Sequence, residues 1–232
     1  MNFYTFKWGK KYDHYYVNRL YGSLLCNVNI PFKFTCYTDD HSNFRDEIIV
    51  KDINELRPYN TDRVFTYEKL ILLEKHQEGI WLDLDILIHD DITDIVTRDD
   101  GDFKMIWNYW NNYETKSLRW YGSGSSCHIN SSFVKFKNPE WLIKFTKDNW
   151  KKIEWTYKSL DKYMFYQHHR NNRLQYWEDG IFSNYNKEGF RLKNKITLFN
   201  TSHIKANNLK EIAYEIHEAD HDVIKLWESY DT

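Results

Sequence analysis

The sequence predicts an α/β protein: a mostly parallel, doubly wound sheet with helices on both faces, in a single domain. Three observations lead there. Short apolar runs alternate with helix-period segments in the order β-α-β-(β)-α-β over the first ninety residues, the pattern that sets strands side by side with helical crossovers between them. The 232 residues suffice for one domain with a sizeable core, and no linker, repeat or low-complexity tract divides them. Finally, ten Trp, eighteen Tyr and fourteen Phe supply large apolar faces that a mean hydropathy of -0.77 conceals.

Residues 3–8 are apolar and aromatic and form the first predicted strand. Val17, Leu20, Tyr21, Leu24 and Leu25 then recur at helical spacing, with Asp13 placed to cap the start. Phe32 to Tyr37 is the second strand, ending at Thr38-Asp39-Asp40, and Glu47 to Val50 is a short third. Thr66 to Lys75 is helical, and Gly79 to Ile88 follows as a strand. In the second half, Lys104 to Trp107 and Ser131 to Phe136 read as strands around a polar loop, Tyr121 to Ser126. Trp141 to Trp150 and Ser159 to His168 are amphipathic helices. Short strands at Gly180 to Ser183 and Ile196 to Phe199 precede a last helix over Asp222 to Trp227.

The formal net charge of -2 offers no basic stripe, so nucleic acid is not an expected partner. Cys26, Cys36 and Cys127 are odd in number and lack metal-ligand spacing, which points to reduced thiols. The start of the chain runs directly into a predicted strand, and no apolar run approaches the roughly 20 residues that span a bilayer. A soluble, intracellular, cytoplasmic protein without a transmembrane segment is the expectation.

The strongest chemical signal lies in Ile80-Trp81-Leu82-Asp83-Leu84-Asp85-Ile86-Leu87-Ile88. Its even positions are all Leu or Ile, the period of a strand, which puts Asp83 and Asp85 together on the other face. Two residues along an extended chain is about 6.6 Å, so both carboxylates can reach one ion or one ligand. Like charges on a strand are costly, and a divalent cation offsets that cost. Hard oxygen donors suit Mn2+ or Mg2+. The same residues also fit a solvated strand end, or the Asp-x-Asp of haloacid dehalogenase-like phosphatases, whose first Asp is a nucleophile. That second pattern usually stands near the start of a chain, and no later Asp-Asp partner is evident here.

Taken with Trp8-Gly9-Lys10-Lys11-Tyr12, Tyr16 to Tyr21, Phe34 to Asp40, Tyr67-Glu68-Lys69-Leu70 and Asn130-Ser131-Ser132, the Asp-x-Asp segment resembles the GT-A glycosyltransferases. The likeness is to small glycogenin-like and viral or bacterial members, and it covers most of the chain. The resemblance implies a metal-dependent hexosyl- or pentosyltransferase. It would move a sugar from a UDP- or GDP-linked nucleotide-sugar donor to a hydroxyl acceptor on a glycan or protein. A nucleotide-binding half would span about 1–100, an acceptor half about 101–210, and a C-terminal tail helix about 211–232.

Residue by residue, the resemblance implies that Asp85 binds the Mn2+ or Mg2+ directly and that Asp83 binds it too or holds the ribose. Lys7, Trp8 and Tyr12 would grip the base, and Asp39 would read its edge. Lys69 would touch phosphate or sugar, and Asn130 and Ser131 would hydrogen-bond the donor sugar. In Phe199-Asn200-Thr201-Ser202-His203-Ile204-Lys205, His203 corresponds to a late third metal ligand and Lys205 to a phosphate-binding lysine, although the family spaces them with a Gly that is missing here. Trp177-Glu178-Asp179-Gly180 sits where such enzymes carry an acid near the acceptor, making Asp179 the candidate base and Glu178 its alternative.

Two further readings compete. His217-Glu218-Ala219-Asp220-His221 matches the zinc-protease pattern His-Glu-x-x-His, with Glu218 as base. It lies in a polar stretch with only Glu228 downstream as a possible third ligand. A non-enzymatic sugar-nucleotide binder is the other; an aromatic acceptor cleft around Trp107, Tyr109, Trp110, Trp120 and Trp177 would argue against it.

Overall fold

The computed structural model describes residues 1–56, 68–110, 127–157, 159–169, 173–199, 205–206, 209–210 and 215–231. Strand β1 (Asn2–Lys7) leads into helix α1 (His14–Asn27), whose N-terminus Asp13 caps by accepting the Tyr15 amide at 2.9 Å. Strands β2 (Lys33–Thr38) and β3 (Ile49–Asp52) follow, then helix α2 (Glu68–Lys75), β4 (Glu78–Leu82), β5 (Ile86–Ile88) and helix α3 (Thr93–Thr97). Next come β6 (Phe103–Trp107), β7 (Ile129–Lys137), α4 (Glu140–Tyr157), α5 (Leu160–His168), β8 (Gln175–Tyr176) and β9 (Phe182–Asn184). The chain closes with α6 (Tyr185–Glu188), β10 (Ile196–Leu198), the short pair β11 (Lys205–Ala206) and β12 (Leu209–Lys210), and α7 (His221–Glu228).

The central sheet has seven strands in the order β3-β2-β1-β4-β7-β6-β8. β3, β2, β1 and β4 are parallel, β7 runs against both of its neighbours, and β8 is parallel to β6. Alternation along the strands divides the core between its two faces. Phe3 and Ile80 join Val17, Leu20 and Leu24 of α1 on one side, together with Trp227 of α7. Tyr4 and Trp81 point the other way, to Leu70 and Leu73 of α2, Leu142 of α4 and Met164 of α5. Helices therefore cover both faces of a mixed but mostly parallel sheet, as the alternating pattern predicts.

One predicted element is corrected. The strand expected over Gly79 to Ile88 is two strands in two sheets. β4 belongs to the central sheet, whereas β5 pairs with β10 in a small sheet ordered β5-β10-β9. The chain bends between them at Asp83-Leu84-Asp85. Leu84 is buried at the bend, so the two-residue period of burial continues across it and hides the break.

On the opposite side of α1, Gly22 allows a close approach: a Cβ there would lie 1.9 Å from the Tyr230 carbonyl oxygen. The C-terminal turn Ser229–Asp231 is thereby seated on α1. Among the described residues no helix is long and apolar enough to cross a membrane.

Candidate functional site

Because β1 and β4 are parallel, Trp8 and Asp83 leave the sheet at the same edge, the edge where open α/β sheets bind ligands. A cavity of about 400 Å³ opens there. Trp8, Lys11 and Tyr12 form one wall, Asp83, Leu84 and Asp85 another. Lys69 from α2, Ser131 from β7, and Ser159 and Asp161 from the start of α5 complete it. The size suits a ligand of several rings.

The backbone fixes the acidic bend at both ends. The Asp83 amide donates to the Ser132 carbonyl at 2.9 Å, and the Asp85 carbonyl accepts the Phe199 amide at 2.9 Å. The two side chains are then treated differently. Lys69 Nζ lies 2.7 Å from Asp83 Oδ1, and Trp81 Nε1 donates to the same oxygen at 2.9 Å. Lys69 also donates to the carbonyl and hydroxyl of Ser131, at 3.0 and 3.1 Å. Asp83 is thus a held, neutralised carboxylate.

Asp85 is not neutralised in this way. Burial, and then the charge of Asp83, push its pKa up to about 7, against the pull of Lys11 and Lys69. The same crowding reaches Tyr12, whose phenol is held above its usual range by burial and next by Asp85. Lys11 Nζ donates to the Tyr12 hydroxyl at 2.6 Å. A divalent cation fits this arrangement, since it would relieve the repulsion between two hard-oxygen donors that share one wall. Among the described residues no third His, Cys, Asp or Glu joins them in a ligand group.

The remaining predicted residues divide. Trp8 lines the cavity, with its ring 4.8 Å from that of Phe6. Ser131 is buried beside Lys69, while the Asn130 side chain accepts the Ser132 amide at 2.7 Å and so shapes β7. Asp39 is exposed and accepts the Gly9 amide at 2.9 Å, which holds the turn after β1. Lys7 is 3% exposed and faces Asp40 at 3.8 Å, away from the cavity lining. Asp179 stands on an exposed turn and is not among the lining residues. His203 lies outside the described residues, as do Trp120 and the Tyr121 to Ser126 loop; for Lys205 only the backbone, in β11, is described.

Two readings are overturned. Trp177 is no sugar platform: it is 1% exposed, with its indole donating to the Phe133 carbonyl at 3.2 Å. Trp107 is likewise packed among His128, Phe165, His169 and Tyr176, and Trp110 lies against the core, leaving Tyr109 exposed. The His-Glu-x-x-His pattern does not occupy one helix. His217 falls in a short 3-10 turn, Ile216–Glu218, Ala219 is extended, and His221 opens α7. The Glu218 side chain closes a capping box on the Glu215 amide, and His217 Nδ1 meets the Tyr16 hydroxyl at 2.7 Å. These residues shape a chain end and do not form a zinc site.

The sequence reading missed Asp161 and Ser159. In the sequence they form an ordinary helix start, with Ser159 as cap and Asp161 as a first-turn acid; only the docking of α5 against β7 brings them to the cavity.

No protein-family model and no curated protein sequence matches the chain. Solved structures do. The galactosyltransferase LgtC, solved with donor and acceptor sugar analogues, superposes with a TM-score of 0.61 at 13% identity, over 100% of this chain and 97% of LgtC. The glycosyltransferase GlyE of Streptococcus pneumoniae TIGR4 gives 0.59 at 10% identity, over 99% of this chain and 60% of GlyE. Mouse xyloside xylosyltransferase 1 gives 0.57 at 9% identity, over 87% of this chain and 98% of that protein. At such identities the likeness is one of fold: the chain has the GT-A architecture of these glycosyltransferases. A haloacid dehalogenase-like phosphatase is not favoured.

Proposed function

We propose that the chain is a metal-dependent glycosyltransferase that moves a sugar from a UDP- or GDP-linked donor to a hydroxyl of a glycan or protein. The observation that carries this reading is the bend at Asp83-Leu84-Asp85. It turns two carboxylates into a cavity of about 400 Å³ at the ligand-binding edge of the sheet and, among the described residues, pairs Asp83 with Lys69. In this reading Asp85, with Asp83 beside it, holds Mn2+ or Mg2+, and His203 is the third ligand. When bound, the cation supplies Lewis-acid stabilisation of charge on the leaving nucleoside diphosphate.

The chain's own residues do the rest. Trp8 and Tyr12 supply aromatic faces for the base. Lys69 keeps Asp83 oriented and brings positive charge to the diphosphate side, and Ser131 offers a hydroxyl to the sugar. Lys7 and Asp39 act on the base only through the turn that they support, and Lys205 is a phosphate contact from the later segment. Asp179, exposed to solvent, is the proposed base on the acceptor side. An aromatic acceptor cleft gives no support among the described residues, since Trp177 is buried and Trp107 and Trp110 pack against the core.

The test is incubation with UDP-galactose, UDP-glucose, UDP-xylose and GDP-mannose, with manganese or with EDTA, following released nucleoside diphosphate. Manganese-dependent release from at least one donor is the expected result. Release that is equal in EDTA, or absent from all donors together with absent binding, overturns the reading.

A further inference from the structure

Tyr12 and its neighbour Lys11 line the cavity from the turn between β1 and α1. The ends of that turn are fixed locally: Asp39 accepts the Gly9 amide at 2.9 Å, and Asp13 accepts the Tyr15 amide at 2.9 Å. Its middle is held from the other end of the chain. Lys11 Nζ donates to the Tyr12 hydroxyl at 2.6 Å and lies 3.7 Å from Glu215 Oε1. Glu215 is itself set in place. Its side chain accepts the Glu218 amide in the capping box, and the next residue, Ile216, is fully buried in the core. Beside it His217 Nδ1 meets the Tyr16 hydroxyl, and the Tyr16 ring lies 4.7 Å from that of Tyr12.

The C-terminal segment does not need the Lys11 contact in order to be seated. Ile216 and Trp227 join the core around α1, and Gly22 admits Tyr230 closely. An ion pair whose side chains are 43% and 21% exposed adds little to stability. Its effect is instead to restrict a long, flexible ammonium to the edge of the Tyr12 ring, and so to restrict the ring. A stacking platform binds better when its orientation is set beforehand, because the ligand then need not order it. We propose that Glu215 is a positioning residue for the nucleotide: acting through Lys11, it holds the Tyr12 ring in the orientation against which the base stacks. This rests on the nucleotide-sugar reading above.

The experiment is calorimetric titration, in manganese, of whichever of UDP and GDP wild type binds more tightly. It is run on wild type, Glu215→Gln, Tyr12→Phe and the double variant. Tyr12→Phe keeps the ring and every charge but removes the hydroxyl that Lys11 holds. Each single change is expected to weaken the nucleotide by about 3–10-fold. The double variant should bind no worse than the weaker of the two single variants, since both changes break one chain of contacts. A merely structural role for Glu215 predicts instead that its loss adds to that of Tyr12→Phe. The proposal is overturned if Glu215→Gln binds within about twofold of wild type, or more tightly than wild type. It is also overturned if the two losses add, or if Tyr12→Phe alone has no effect, a result that does not depend on the Glu215 variant folding. If wild type binds neither UDP nor GDP, the donor reading itself fails and this inference falls with it.

Discussion

Lys69→Met removes the ammonium paired with Asp83 at the acidic bend, and the consequences can be worked from the distances. At 2.7 Å from Asp83 Oδ1, with an effective dielectric near 20, the attraction is about 6 kcal/mol before desolvation. The Lys69 side chain is 12% exposed and that of Asp83 26%. Desolvating the ammonium offsets much of the gain, and Trp81 still donates to Asp83 after the change. The loss of the hydrogen bonds to Ser131 adds to the cost. A net destabilisation of about 2 kcal/mol is reasonable for one charge-assisted contact in this setting. For a chain of this length that lowers Tm by roughly 4–8 °C.

Manganese should then act in the opposite sense. Without Lys69 both Asp83 and Asp85 are free to attract a cation, so saturating manganese should raise the Tm of Lys69→Met more than that of wild type. Differential scanning fluorimetry with and without manganese reads both effects, and Lys69→Arg, which keeps the charge, should lie between the two proteins. A Tm of Lys69→Met equal to wild type, or a manganese response smaller than wild type, would refute the reasoning.

Two other outcomes follow from the packing. Burial lowers the His168 pKa to about 4, with Arg173 adding to the effect. Its folded-state pKa thus lies below the unfolded value of about 6.5, so its share of stability is fully present above pH 6.5 and is lost as pH falls towards 4, by at most roughly 3 kcal/mol. Urea unfolding at several pH values should show a shallower loss over that window for His168→Leu than for wild type; parallel profiles would contradict the assignment. Gly22→Ala places a methyl against the Tyr230 carbonyl, which should cost about 1–3 kcal/mol and loosen the C-terminal turn. Faster proteolysis near the C-terminus, with a lowered Tm, is the expected readout, and an unchanged digestion pattern would count against it.

Much of the fold was legible because burial follows the element periods. Phe3 and Tyr4 go to opposite faces, Asp13 caps α1, and the helices at 68–75 and 160–168 lie where the apolar spacing puts them. The reversed direction of β7 was not legible, since a strand buried on both faces reads the same in either sense. The break after Leu82 escaped for a related reason: Leu84 stays buried through the bend, so periodicity alone sees one long strand. The aspartates, poor strand formers, were the available cue.

At the site, the sequence placed Trp8, Tyr12, Lys69, Asp83, Asp85 and Ser131 around one cavity. Where a residue type admits two environments, the sequence left both open. Trp177 offered an aromatic face to a sugar and belongs to the core; Lys7 offered a charge and is buried against Asp40. His217 and His221 offered a motif, and the chain between them is not helical. Asp161 carried no local signal at all, because its meaning arises from tertiary docking.

The most direct test of the account compares wild type with Asp85→Asn for release of nucleoside diphosphate from the preferred donor in manganese, alongside manganese affinity measured by titration. Asp85→Asn keeps the shape of the bend and removes the charge that the cation needs. The account predicts a fall in release of at least about 100-fold together with weakened manganese binding. Unchanged release and unchanged manganese affinity in a folded Asp85→Asn protein would contradict it.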